Sequence, residues 1–111
     1  MDSRFLTGSV ELLILQIAQA GPTYGYEIAQ EAMRRSDGYF NLKEGSLYPA
    51  LHRMGRRGLL EAFWEEKETG RRRRFYRLTA EGAKTLEIER AEWARYVAGV
   101  NGVLGLRVEN A

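Results

Sequence analysis

Cysteine is absent from this 111-residue chain, and histidine occurs once, at position 52. Without cysteine the chain can form neither disulfide bonds nor thiolate zinc sites. With no thiolate to share a metal ion, His52 is not expected to bind one. We therefore predict neither a metal site nor a cofactor.

Long apolar runs are also missing. No stretch approaches the roughly 20 apolar residues that a membrane-spanning helix needs. The N-terminal residues lack the basic region and apolar run of a signal peptide, so we expect none. These observations predict a cytoplasmic protein.

Recognisable catalytic patterns are lacking as well. There is no P-loop, no GxGxxG motif, and no serine or threonine nucleophile with a plausible base. The carboxylates form no recognisable acid/base pair. The length and the hydrophobic content of 44% suit one domain with a modest core, with little room for an enclosed active site. We predict that the chain is not an enzyme.

What the sequence does have is positive charge concentrated in one place, although the formal net charge is only +2. A local basic surface attracts phosphate groups even when the net charge is small. The alternative is a solvated loop, partly neutralised by the acids of residues 65–68. The basic run consists of four consecutive arginines, Arg71, Arg72, Arg73 and Arg74.

Hydrophobic periodicity predicts three helices before that run. The first spans Val10 to Ala20 and is buried on more than one side, and Gly21-Pro22 ends it. Thr23 is the predicted N-cap of the second helix, and Gly38 ends it. The third begins between Lys43 and Leu47, because Pro49 is best tolerated in a first turn.

Two β-like segments follow, Leu59 to Glu66 and Arg72 to Leu78, with Gly70 supplying the turn between them. Thr79 is the predicted N-cap of a long final helix. We predict a mostly α (α+β) fold: a winged helix-turn-helix with a β-hairpin wing and a long C-terminal helix. Residues 1–78 would form the DNA-binding part, and residues 79–111 the dimerisation helix.

The third helix has an aliphatic side and a polar side. A helix of this kind can anchor its inner face and offer its outer face to base edges and phosphates. The alternative is an ordinary amphipathic surface helix. Its polar candidates for DNA contact are Lys43, Ser46, Tyr48, His52 and Arg53, with Arg56 on the same side.

The final helix carries an apolar stripe that has nothing left to pack against once the small domain is closed. A helix of a second subunit would cover it in a two-fold dimer. The alternative is that the helix folds back on its own domain. The stripe consists of Leu86, Trp93, Tyr96, Val97, Val100 and Leu104.

Four phrases, taken in order, resemble the PadR (phenolic acid-responsive repressor) family over about residues 13–100. They are Tyr24-Gly25-Tyr26-Glu27-Ile28, Gly45-Ser46-Leu47-Tyr48-Pro49-Ala50-Leu51, Gly58-Leu59-Leu60, and Tyr76-Arg77-Leu78-Thr79 with Gly82. The resemblance implies a bacterial or archaeal winged-helix repressor that dimerises through its C-terminal helix. It implies that Arg71 to Arg74 lie in the wing. Residues at or near the DNA-facing helix would be those matching Tyr24, Ser46, Tyr48, Pro49 and His52.

The short C-terminal part resembles the small members of that family. Some of these bind flat aromatic compounds between subunits, beside a tryptophan that matches Trp93. The resemblance therefore implies Trp93 as an effector contact, with plain packing between subunits as the favoured alternative.

Together these patterns predict a homodimeric repressor that binds double-stranded DNA at a pseudo-palindromic operator, with half-sites ~34 Å apart. The third helix would enter the major groove, and the wing arginines would grip the flanking backbone or reach into the minor groove. The alternative is a winged-helix module that binds another protein without specific DNA contact.

Overall fold

The computed structural model describes residues 9–66 and 68–107. Over these residues the chain forms four helices and one antiparallel hairpin, in the predicted order. None of the helices described there is long and apolar enough to cross a membrane. The elements are α1 (Val10–Ala18), α2 (Gly25–Arg35), α3 (Glu44–Arg56), β1 (Leu60–Glu66), β2 (Arg72–Leu78) and α4 (Ala80–Leu104).

Helix α1 lies at the centre of the core. Ile14 and Leu15 are adjacent in sequence and point to different sides, yet both are almost fully buried. This confirms the prediction that the first helix is buried on more than one side. Side chains from α2, α3 and α4 complete the core, with Ile28, Leu51, Met54 and Leu86 the most deeply buried.

Helix α2 begins one residue later than predicted, and Tyr24 rather than Thr23 is its N-cap. The backbone of Thr23 pairs with that of Tyr76: each N–H donates to the other's carbonyl, at 2.9 and 2.7 Å. Because this pairing is of the β type, it holds Thr23 outside the helix. The Thr23 hydroxyl donates instead to Glu27 Oε1, at 2.6 Å. Thr23 therefore fastens the helical part of the domain to the wing.

Helix α3 begins at Glu44, within the predicted range, with Lys43 as its N-cap. Pro49 lies in the second turn and not in the first, so the helix forgoes the usual hydrogen bond from residue 49 to the carbonyl of residue 45. Gly58 ends the helix with φ +76°, and the Leu59 N–H donates to the Met54 carbonyl at 3.0 Å. A glycine in the left-handed conformation is a common way for a helix to end.

The hairpin pairs Leu60 with Leu78 at its base and Glu66 with Arg72 near its tip. Gly70 has a φ of +80° in the turn. The Thr79 hydroxyl accepts a hydrogen bond from the Gly82 N–H (2.9 Å). This confirms Thr79 as the N-cap of α4, which leaves the domain directly after the wing.

The two parts of α4 have different surroundings. Leu86 is only 1% exposed and belongs to the core of its own chain, so its assignment to a dimer contact is wrong. It packs inward because the first turns of α4 lie against α1 and β2. The Arg90 guanidinium donates to Gln16 Oε1 at 2.7 Å on the same side. Beyond that point Trp93, Tyr96, Val100 and Leu104 are exposed.

Candidate nucleic-acid interface

Helix α3 presents a polar face away from the core. Its inner residues, Leu47, Ala50, Leu51 and Met54, are buried. Lys43, Pro49 and His52 are exposed, Ser46 is half-buried, and Tyr48 is 47% exposed. The predicted outer residues therefore lie on one accessible surface that is anchored from behind.

Tyr48 lies across the start of α2. A Cβ atom added to the buried Gly25 would fall 2.7 Å from the Tyr48 hydroxyl oxygen. Only glycine allows the tyrosine ring to approach this closely. Gly25 therefore brings Tyr48 and the beginning of α2 together beside the outer face of α3.

Arg53 lies on the flank of α3 that faces α1. Its Nε is 3.3 Å from Glu11 Oε2, and Nη1 of Arg57 is 2.8 Å from Glu11 Oε1. One carboxylate thus pairs with two guanidinium groups from the end of α3. Sequence reasoning proposed Arg53 for DNA contact and could not show that its charge is shared with Glu11.

The arginines of the wing alternate between its two faces, because successive side chains of a strand point to opposite sides. On one face the guanidinium carbons of Arg72 and Arg74 lie 4.9 and 5.1 Å from the centre of the Trp64 ring. Trp64 is 52% exposed. Arg71 precedes β2 and is exposed. This face therefore presents two guanidinium groups over one indole, with the carboxylate of Glu66 opposite Arg72.

The opposite face of the wing carries Arg73, whose guanidinium carbon lies 4.1 Å from the centre of the Tyr24 ring. Tyr24 also meets Phe75 edge to face, at 5.2 Å between ring centres, and Phe75 stacks on Phe63. Tyr24 and Arg73 are both half-buried. The structure brings these two predicted DNA contacts together as a joint between α2 and the wing.

A cleft of about 540 Å³ separates α3 from the wing. His52 and Arg56 line it from the helix, and Arg74 lines it from β2. The acid Glu61 also lines the cleft, and it pairs with Arg77 at 2.9 Å. Apolar side chains that include Leu60 form its inner wall. The cleft is therefore basic at its rim and open to solvent.

The second half of α4 forms a separate apolar surface. Trp93 and Tyr96 are 48% and 59% exposed, with ring centres 5.7 Å apart. Val97 is half-buried, and Val100 and Leu104 are exposed. These five residues, without Leu86, make up the exposed stripe of α4.

Within residues 9–66 and 68–107, no three His, Asp or Glu side chains gather in a way that could hold a metal ion. The Arg34 side chain, helped by Arg35, lowers the pKa of Glu31 from 4.5 to about 2 by hydrogen bonding. That carboxyl lies on α2, outside the cleft lining. The chemistry that the cleft does offer is the positive charge of Arg56 and Arg74, which attracts anions.

Sequence reasoning did not single out Trp64. The signal was present in the register: a hairpin closed by Gly70 with Glu66 opposite Arg72 places Trp64 directly opposite Arg74. Trp64 could have been identified from the residue opposite it in the hairpin, Arg74, but not from its residue type alone.

The chain is similar to known proteins in both sequence and fold. Residues 14–88 match the model described as "Transcriptional regulator PadR-like family". Over 99 residues the chain is 36% identical to Transcriptional regulator Rv3488 of Mycobacterium tuberculosis, covering 86% of this chain and 88% of that protein.

Two solved structures are similar over most of their length. A transcriptional regulator from Clostridium thermocellum superposes with a TM-score of 0.83 at 31% identity, covering 92% of this chain and 96% of that one. A PadR family transcription regulator from Clostridium difficile superposes with a TM-score of 0.71 at 37% identity, covering 86% and 97%.

Proposed function

The chain belongs to the PadR-like family of transcriptional regulators, as its motifs predicted, and from this premise we propose that it is a homodimeric repressor of a pseudo-palindromic operator. The family and the similar structures are transcription regulators and not enzymes. Residues 1–78 would bind DNA and residues 79–111 would join the two subunits. A protein acting on the chromosome would work in the cytoplasm.

The observation that carries this proposal is the arrangement of α3 and the wing around one basic cleft. His52 and Arg56 line it from α3, and Arg74 lines it from the wing. A helix in the major groove with a wing beside it leaves one strand of the sugar–phosphate backbone between the two elements. The charges at the rim of the cleft suit that strand.

The proposed roles follow from position. His52 and Tyr48 would meet base edges from the exposed face of α3, because both have polar groups within reach of a groove. Lys43, Ser46 and Pro49 would lie against the backbone, and Arg53 would join them from the flank. Arg71 to Arg74 would bind phosphates from the wing, with Tyr24 supporting Arg73.

The proposed dimer uses the exposed stripe of α4, namely Trp93, Tyr96, Val97, Val100 and Leu104. A contiguous apolar surface of this kind on a small domain is a typical protein interface. A two-fold axis through it would present two copies of α3 to half-sites one turn of DNA apart, ~34 Å.

The exposed Trp93–Tyr96 pair also supports a finer proposal, that a flat aromatic effector binds between the subunits. Two neighbouring rings offer faces for stacking. In a W64F variant Trp93 would be the remaining tryptophan. Titration with planar dyes should then quench its emission, and an unchanged spectrum would leave dimer packing as the role of Trp93.

The experiment that tests DNA binding is fluorescence anisotropy with the gene's own upstream duplex and a scrambled duplex, over a salt series. Tight binding to the upstream duplex alone supports an operator-specific regulator. Equal, steeply salt-dependent binding to both would leave only a basic surface. No binding to either at low salt would favour a protein-interaction module.

Two variants separate base contacts from phosphate contacts in that assay. His52→Ala should reduce discrimination between the duplexes by about 1–3 kcal/mol if the imidazole meets a base. Lys43→Ala should weaken both complexes alike and lower the salt slope by about one. Equal losses on both duplexes for His52→Ala would contradict its assigned role.

A further inference from the structure

Trp64 is the large wing side chain that the proposed function leaves unused. It projects from β1 with about half of its surface exposed, and it lies outside the hydrophobic core. Arg72 and Arg74 lie over its ring at 4.9 and 5.1 Å. An indole this exposed contributes little to the core, so folding alone does not account for a tryptophan here.

The contacts with Trp64 restrict the rotamers of two long side chains, Arg72 and Arg74. A guanidinium over an indole face is attracted by the ring quadrupole, and tryptophan is the strongest partner for this interaction. A free arginine on a hairpin samples many rotamers, which must be given up on binding a phosphate. Arginines that already rest on a ring have lost part of that freedom beforehand.

The strand register directs Arg74 toward α3. Trp64 is paired with Arg74, and Arg72 is paired with the acid Glu66, two residues further along β1 on the same face. Ala62 and Tyr76 lie on that face nearer the base of the hairpin, and both line the cleft. The ring therefore holds Arg74 at the wing side of the cleft, across from His52 and Arg56.

We propose that Trp64 is a positioning residue, which holds Arg74 at the cleft between the wing and α3, and Arg72 beside it nearer the wing tip, ready to bind one strand of the sugar–phosphate backbone of duplex DNA. This inference rests on the proposed function. Trp64 acts through the arginines and makes no essential DNA contact of its own. Its effect is the same for every DNA sequence, because phosphate contacts carry no base information.

The expected effect of removing the ring differs from that of removing the charges. W64L should weaken binding to the upstream and scrambled duplexes alike, by about five- to twentyfold for two such contacts. The salt slope should change little, because both arginines remain. R72Q/R74Q should weaken binding and also lower the salt slope by about two.

The decisive experiment is a double-mutant cycle in the anisotropy assay with the full-length chain: wild type, W64L, R72Q/R74Q and the triple variant. If Trp64 acts through the arginines, W64L should have almost no further effect in the R72Q/R74Q background. An equal loss in both backgrounds would overturn the proposal, because Trp64 would then contact DNA itself or act on the fold.

The matched control is R77Q, because Arg77 lies over Phe63 on the opposite face of the same hairpin. W64L and R77Q should be additive. W64F keeps an apolar ring suited to a strand, so it should fold if W64L does not, and it should lose part of the affinity through the same coupling. Coupling to R77Q as strong as that to R72Q/R74Q would reduce Trp64 to a structural residue.

Failure of the proposed function can be distinguished in the same experiment. A wild-type chain that binds neither duplex at low salt refutes DNA binding, and with it this role. A wild-type chain that binds, combined with variants whose losses simply add, refutes the role of Trp64 alone.

Discussion

Gly82 lies against the backbone carbonyl of Leu59, so closely that a Cβ atom could not be placed between them. A Cβ atom at Gly82 would also lie 2.8 Å from Cδ1 of Leu78. Gly82 belongs to the first turn of α4, and Leu59 precedes β1. This approach joins the long helix to the base of the wing.

Gly82→Ala is therefore expected to destabilise the protein by at least roughly 2 kcal/mol, because the obstructing atom is backbone and cannot rotate away. For a domain of this size the midpoint of thermal unfolding should fall by about 10 °C or more. Gly102→Ala is the matched control, since open space surrounds Gly102 in the same helix. That change should leave stability unchanged or raise it by up to about 1 kcal/mol. Similar losses for both variants would show that the contact with Leu59 is unimportant.

Glu11 is expected to lower the affinity for DNA, because it pairs with both Arg53 and Arg57 at the C-terminal end of α3. Glu11→Gln should release the two guanidinium groups and strengthen binding to both duplexes about two- to fivefold, with a steeper salt slope. The loss of folding stability should stay below about 1 kcal/mol, since the pairs are largely exposed.

The control for this change is Glu87→Gln, which removes one exposed acid from α4 and alters the net charge equally. A smaller effect from this variant supports local competition by Glu11. If anisotropy shows the same gain for both, only the net charge matters, and Arg53 is no more available than before.

The exposed stripe of α4 should determine the oligomeric state. Val100→Glu places a charge on the stripe, and two-fold symmetry would place it there twice, so the dimer should dissociate at micromolar concentration. Analytical ultracentrifugation measures this directly. Thermal unfolding of the variant should also become independent of protein concentration.

Ile88→Glu provides the comparison, because Ile88 is an exposed apolar residue (64%) of the same helix. It lies roughly 140° around the helix axis from Trp93 by the 3.6-residue repeat. Its substitution should leave the dimer intact. Dissociation by Ile88→Glu together with an intact Val100→Glu dimer would place the interface on another face of α4.

Glu31 makes the free energy of unfolding depend on pH in the acidic range. Hydrogen bonds from Arg34 and then Arg35 lower its pKa from 4.5 to about 2. A lowered pKa in the folded state means that the unfolded chain takes up the proton first as the pH falls. The contribution of Glu31 is therefore complete above about pH 4.5 and is lost between there and about pH 2.

Urea unfolding of wild type and Glu31→Gln should measure this contribution. The stability difference between them should be small but present at pH 6, and it should vanish as the pH approaches 2. A difference that is constant over this range would mean that the ion pairs of α2 do not contribute to stability.

The order of elements could be predicted because its signals are local. Apolar spacing marks the helices, Gly58 and Gly70 adopt the left-handed backbone that their positions require, and Thr79 caps α4 with its own hydroxyl. The alternation of the arginines is likewise local, because it comes from the pleat of a single strand. These features depend on a few neighbouring residues, so a sequence pattern is sufficient to specify them.

Partners distant in sequence could not be predicted in the same way. Threonine is a residue type typical of an N-cap, but the backbone of Thr23 pairs with that of Tyr76 across the fold. Arg53 has the spacing of an outer-face residue, but Glu11 of another helix holds it. In both cases the local pattern was compatible with two outcomes, and a contact from a different element selected one of them.

The apolar stripe of α4 separates what the sequence determines from what the tertiary structure determines. Sequence by itself determined that Leu86 and Val100 lie on one side of a helix, because a period of 3.6 residues relates them. Tertiary structure decided that Leu86 is buried in its own core while Val100 is exposed. The reason is that the domain is shorter than the helix: α1 and β2 cover only its first turns, and the remainder of the stripe extends beyond them.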